Sequence, residues 1–99
     1  MRILRLHVKK EYFKDIANNL KKEEYRLFNS YWKKRLLNKN FDEVHILLGY
    51  PSVNDLEKIL KFPYYGFVVK KIVHKHFGEK EVEVFSIKLY CCCFNVCEV

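Results

Sequence analysis

The densest run of chemically capable side chains in the chain is Asn18-Asn19-Leu20-Lys21-Lys22-Glu23-Glu24-Tyr25-Arg26. If residues 22–28 are extended, side chains alternate between faces, and Lys22, Glu24 and Arg26 line one of them. A carboxylate between two cations favours its charged form and holds an arginine fork in place. Such a pre-positioned Lys/Glu/Arg cluster grips a phosphate, a carboxylate or a base edge. The same residues also read as a solvated ladder of paired charges on an exposed strand.

Around that run stand several weaker signals. A lysine acting as nucleophile or base must have its pKa brought down from about 10.4 by burial or by neighbouring cations. For Lys21 the cations Lys22 and Arg26 are offset by Glu23 and Glu24, so a ligand contact or a surface role is expected. Trp32 follows Tyr31 and precedes Lys33-Lys34-Arg35, an aromatic next to a basic run, as in a base-stacking platform on a charged groove. The alternative is that Trp32 packs beneath the fold and only the cations face solvent. Lys33 and Arg35 are read as anion contacts together with the motif. His45, His74 and His76 have no carboxylate or cysteine at ligand spacing, and Gly78 marks a turn, so no metal and no other cofactor is expected.

The charge balance supports an anionic partner. Lys and Arg number 19 against 12 Asp and Glu, a net of +7. Residues 1–40 hold 12 basic and 4 acidic side chains, a net of +8, whereas residues 41–99 hold 7 and 8, a net of −1. All the excess therefore lies around the motif, the pattern left by an anion-binding face. A lysine-rich surface serving solubility would give the same total. The four cysteines, Cys91, Cys92, Cys93 and Cys97, crowd into the last nine residues, unlike a distributed disulfide framework. Adjacent cysteines pair poorly, and reduced thiols in an apolar tail over the fold are expected. No apolar run approaches the roughly 18 residues of a membrane span, and arginines interrupt the N-terminus where a signal peptide would be apolar. A cytoplasmic protein, monomeric by default and without a membrane partner, is the expectation.

The elements that would position these residues follow from periodicity. Residues 2–8 alternate as a strand, with Leu4, Leu6 and Val8 on one face. Residues 10–20 change to helical spacing through Tyr12, Phe13, Ile16, Ala17 and Leu20. Asn18-Asn19 stops that helix, since asparagine tolerates the left-handed conformation of a C-terminal cap. A strand over 22–28 follows, then a short helix over 31–37 with Ser30 as N-cap. Residues 43–48 read as a buried strand ended by Gly49-Tyr50-Pro51. Residues 57–63 and 67–74 read as a strand pair joined through Tyr64-Tyr65-Gly66, and 82–90 as the last strand, with Phe85, Ile87 and Leu89 on one face. With 99 residues and 49% hydrophobic composition, one folded domain is implied. The fold class is α+β: a small mixed or antiparallel barrel of five or six strands carrying one N-terminal helix and a short second helix.

In this setting residues 1–90 resemble the ASCH domains of the PUA-like superfamily, in their compact bacterial and phage form. The signature Gly-x-Lys-x-x-Glu-x-Arg reads here Asn19-x-Lys21-x-x-Glu24-x-Arg26, after the first strand and helix. Tyr31-Trp32-x-x-Arg35-Leu36, Phe41-Asp42-x-Val44, Gly49-Tyr50 and the closing Val84-Phe85-x-Ile87-x-Leu89 are also similar to that group. Asn19 replaces the usual glycine and can keep its turn by adopting a positive φ. The resemblance implies a PUA-like barrel with a cleft floored by the motif. It also implies a partner that is RNA, a nucleotide or a modified nucleoside, contacted by Lys21, Lys22, Glu24, Arg26, Trp32, Lys33 and Arg35. Some members are amidohydrolases acting on N4-acetylcytidine. Their lysine matches Lys21, Glu24 stands where they carry threonine, and their later glutamate has no aligned counterpart. If the cleft turns over such a nucleoside, or cuts RNA, Lys21 and Glu24 are the catalytic candidates. A protein-interaction module using the cysteine-rich tail is the remaining alternative.

Overall fold

A computed structural model of the chain describes residues 1–52 and 54–89. The chain runs β1 (Ile3–Val8), α1 (Lys10–Ala17), β2 (Glu23–Leu27), α2 (Ser30–Leu36), β3 (Glu43–Leu48), β4 (Ile59–Pro63), β5 (Phe67–Ile72) and β6 (Val82–Lys88). Short 3-10 turns at Leu56–Lys58 and Lys75–Phe77 precede β4 and follow β5. The six strands divide between two three-stranded sheets, in the orders β1-β3-β4 and β2-β6-β5. β1 runs parallel to β3, and every other pairing is antiparallel. The parallel crossover carries α1, β2 and α2, so the chain visits the second sheet before returning to the first.

The alternating pattern of β1 sets the core. Leu4, Leu6 and Val8 are buried while Arg5 and His7 are exposed. They meet Val44 and Ile46 of β3, Phe85 and Ile87 of β6, Phe13 and Ile16 of α1 and Leu36 of α2 in one apolar cluster. Each such side chain removed from water contributes about 1.5–3 kcal/mol. β3, flanked by β1 and β4, is buried at four successive positions, Val44 to Leu47, His45 among them, as expected of a strand paired on both edges.

Several boundaries differ from the sequence reading, each for a local reason. α1 ends at Ala17 with Asn18 as C-cap; Asn19 takes φ 62°, and the amides of Leu20 and Lys21 both donate to the Asp15 carbonyl. Leu20 therefore swings out, 77% exposed, instead of continuing the apolar face. Asn29, not Ser30, caps α2: its Oδ1 accepts from the Trp32 amide at 3.0 Å. Residues 57–63 and 67–74 do not pair with each other. β4 pairs with β3 and β5 with β6, so Tyr64-Tyr65-Gly66 is a crossing between sheets, fastened by the Tyr64 amide to the Asp42 carbonyl. The cysteine-rich tail lies outside the described residues. Among the described residues no helix is long and apolar enough to cross a membrane.

The cap assignment has a direct check. Asn29→Ala should cost about 1 kcal/mol in urea unfolding, and Ser30→Ala only a few tenths. Equal losses at the two positions would contradict it.

Candidate functional site: a basic, aromatic cleft where the sheets meet

Cross-strand partners share a face of a sheet. Glu24 lies opposite Ile87 and Arg26 opposite Phe85, so a carboxylate and a guanidinium occupy the face of β2 that β6 fills with core residues. Glu24 is 7% exposed. A carboxylate so placed must be paired and hydrogen-bonded. Arg26 Nη2 donates to Glu24 Oε2 at 2.6 Å, and Lys21 Nζ stands 3.5 Å from Oε1. The same Nη2 donates to the His7 carbonyl of β1 at 2.8 Å, and the guanidinium lies 5.1 Å from the centre of the Trp32 ring. Of the five donors on an arginine, Nε is buried without a partner among the described residues.

These groups floor a cleft of about 670 Å³. One wall comes from the ends of β1 and β3. His7 stacks on Tyr50 at 4.3 Å between ring centres, and its Nδ1 lies 2.7 Å from the Gly49 carbonyl. A carbonyl can only accept, so Nδ1 carries the proton there. Gly49 turns the chain at φ 62° to deliver Tyr50, which is 89% exposed at the rim. The opposite wall is Tyr12 of α1 and the turn after β5. Tyr12 meets His76 edge-on at 5.7 Å and His74 at 6.0 Å, while Tyr25 meets His74 at 5.9 Å. His74 Nδ1 accepts from the His76 amide, which places the proton of a neutral ring on Nε2. Burial, then the positive charge of Lys21 and His76, pushes the His74 pKa down. Burial raises the Tyr12 phenol, with Glu11 adding to it. Lys9 and Lys10 complete the lining, and Glu24 is its single carboxylate among the described residues.

The outward face of β2 is organised differently. Glu23 accepts from Tyr25 Oη at 2.8 Å, Lys70 Nζ at 2.8 Å and Lys88 Nζ at 2.5 Å. Burial alone would raise its pKa, but the hydrogen bonds from Lys70, Lys88 and Tyr25 outweigh it and hold it at about 2. Two of the cations from the later part of the chain are thereby spent on Glu23, away from the cleft.

Of the residues singled out in the sequence, the cleft gathers Lys21, Glu24, Arg26 and Trp32. Lys22 is a correction: β2 begins at Glu23, and the turn at Asn19 sends Lys21, not Lys22, to Glu24. Lys22 is exposed, and its carbonyl accepts from the Leu89 amide. Lys33 lies over the Phe28 ring at 4.3 Å and Arg35 over Tyr31 at 4.3 Å, both outside this cleft. Trp32 is half-buried, packed against the core and lining the cleft at once. His74 caps a 3-10 turn and His76 lies within it, neither on a strand, while His45 is bonded to Glu43 in the other sheet. Among the described residues no three metal-ligating side chains converge. His7, Tyr12 and Tyr50 were not legible as site residues; only the Gly49-Tyr50 pair carried a signal, as a turn.

The Glu23 network has a pH signature. Its folded pKa of about 2 lies below the ordinary 4.5, so its stabilisation is complete above about pH 4.5 and is lost as pH falls towards 2. Urea midpoints measured across that window should fall less steeply in Glu23→Gln than in the native chain. Parallel curves would remove Glu23 from this role.

Comparison with family models, with curated proteins and with solved structures finds no match to this chain.

Proposed function

We propose that this chain is an ASCH-type, PUA-like module that binds RNA or a nucleotide in the cleft floored by Lys21, Glu24 and Arg26. The observation that carries the reading is the Arg26 guanidinium: carboxylate-held, lying over Trp32 and, among the described residues, hydrogen-bonded through Nη2. With Nε buried, a guanidinium fixed in this way has its Nη1 end left for a phosphate or a base, and the adjoining rings offer stacking surface. The motif resemblance over Asn19-x-Lys21-x-x-Glu24-x-Arg26 agrees with it, as does the positive φ at Asn19, where that family carries glycine. In this reading the two sheets are the halves of a PUA-like barrel, and the protein works on intracellular nucleic acid. Glu24 orients the two cations.

Trp32 is the single tryptophan, so its fluorescence reports directly on the cleft. Nucleoside monophosphates should quench it at low ionic strength, and Lys21→Ala should weaken binding about tenfold, the loss of one charge-assisted contact. Glu24→Gln should weaken it too, by releasing Arg26. Absence of quenching, or affinity indifferent to Lys21→Ala, would refute the reading.

The 3.5 Å Lys21–Glu24 pair on the cleft floor supports a second reading, hydrolysis of an N-acylated cytidine or of RNA. The His74 lone pair is already committed to the His76 amide, so that ring does not serve as the base in the observed arrangement. If N4-acetylcytidine is turned over, Lys21→Ala should abolish the reaction and Glu24→Gln should chiefly raise KM. A Glu24→Gln variant with normal binding and no turnover would make the cleft an active site rather than a binding site.

A further inference from the structure

Trp32 lines a second cavity as well. On its far side lies a hollow of about 330 Å³ walled by Arg2 and Arg5 at β1, Arg35 at the end of α2, Lys39 after it, and Phe41. No carboxylate lines it among the described residues; the nearest by sequence, Asp42, accepts the Arg2 backbone amide and is not in its lining. Arg2, Arg5, Arg35 and Lys39 are all exposed, and among the described residues none of them forms an ion pair. Arg2 and Arg35 instead rest over aromatic rings, at 5.5 Å from Phe41 and 4.3 Å from Tyr31. Four like charges gathered around one hollow repel one another, and an anion would relieve that.

The two cavities share Trp32 as a lining residue and draw on the same strand. Ile3, Arg5 and His7 project from the same face of β1, with Arg5 in the second cavity and His7 in the first. Together the cavities take Arg2, Arg5, Lys9, Lys10, Lys21, Arg26, Arg35 and Lys39, eight of the 12 basic residues in 1–40, against Glu24 as the single carboxylate lining either among the described residues. A lone nucleotide needs one cleft. A line of cations on both sides of a shared aromatic ring suits a ligand that repeats both negative charge and planar rings along its length.

We infer that the Arg2/Arg5/Arg35/Lys39 hollow is a second phosphate site, and that the partner is a single-stranded polynucleotide. It crosses Trp32, with a base in the first cleft and the adjoining backbone phosphates in the second. This rests on the nucleotide-binding reading of the first cleft and goes beyond it by naming a chain rather than a monomer.

The test compares Trp32 quenching by nucleoside monophosphates with quenching by a mixed-sequence single-stranded hexaribonucleotide. The native chain should hold the hexamer about tenfold or more tighter than any monophosphate, from added phosphate and stacking contacts. The triple variant Arg5→Ala, Arg35→Ala, Lys39→Ala changes only exposed side chains. It should lose that advantage, lower the log–log salt slope of hexamer binding by about 2, and keep monophosphate affinity within about twofold. A triple of equal charge loss at exposed Lys61, Lys71 and Lys80, which line neither cavity, should bind the hexamer as the native chain does. Monophosphate binding with no hexamer advantage, or a hexamer advantage untouched by the first triple, overturns the second site and leaves the first cleft standing. Equal loss from both triples, or competition by poly-glutamate as strong as by RNA, overturns it in favour of unspecific polyanion attraction. Failure of monophosphate and hexamer alike overturns the cleft reading itself.

Discussion

One guanidinium joins the two halves of this fold at the cleft. Arg26 stands on a strand of the second sheet, donates to the His7 carbonyl on an edge strand of the first, and lies over Trp32 of α2. Its position is fixed in turn by Glu24, two residues back on the same face of β2. Burying a carboxylate costs several kcal/mol in lost hydration, and a close, hydrogen-bonded cation is what offsets that. Glu24 and Arg26 are therefore interdependent: the acid holds the base against the carbonyl and the ring, and the base makes the buried acid tolerable. A polar pair at the junction of two apolar sheets adds less stability than hydrophobic residues could. It leaves a fixed cation on the floor of the cleft.

β2 keeps two kinds of charge apart because a strand alternates. Glu23 points outward and accepts from Lys70, Lys88 and Tyr25, which ties two lysines of that surface to one carboxylate. Glu24 points inward and leaves its cations only partly satisfied. The residues closest in sequence thus belong to different electrostatic environments, one a closed surface network and the other an open site. The positive excess of residues 1–40 is consequently not spread over the surface. Most of it lines two adjoining hollows on either side of Trp32.

Aromatic rings supply the other half of the site. Of the three histidines lining the cleft, two have one ring nitrogen committed to backbone, His7 to Gly49 and His74 to the His76 amide. Fixing a ring nitrogen in this way fixes the ring plane, and so the tyrosines packed against it. Tyr50, brought out by the left-handed turn at Gly49, is 89% exposed and stands at the entrance. Rigid rings around a positioned cation lose little entropy when a planar ligand arrives.

The sequence by itself determined the order of elements, the core face of β1, the buried run of β3, and the end of α1 at the asparagine pair. These depend on period and on local backbone preference, both of which act within a few residues. It also determined that Glu24 and Arg26 would stand together, since strand alternation brings i and i+2 to one face. It did not determine Lys21 over Lys22, because a single left-handed residue at Asn19 decides where the strand begins. Which sheet each strand joins was settled only in three dimensions. β4 and β5 are neighbours in sequence but are claimed by β3 and β6, whose buried apolar faces leave no free edge preference in the local pattern. His7, Tyr12, Tyr50 and His74 come from four separate segments, and no spacing rule links them. Only the packing of two sheets, held at their junction by Arg26, makes them the walls of one cleft.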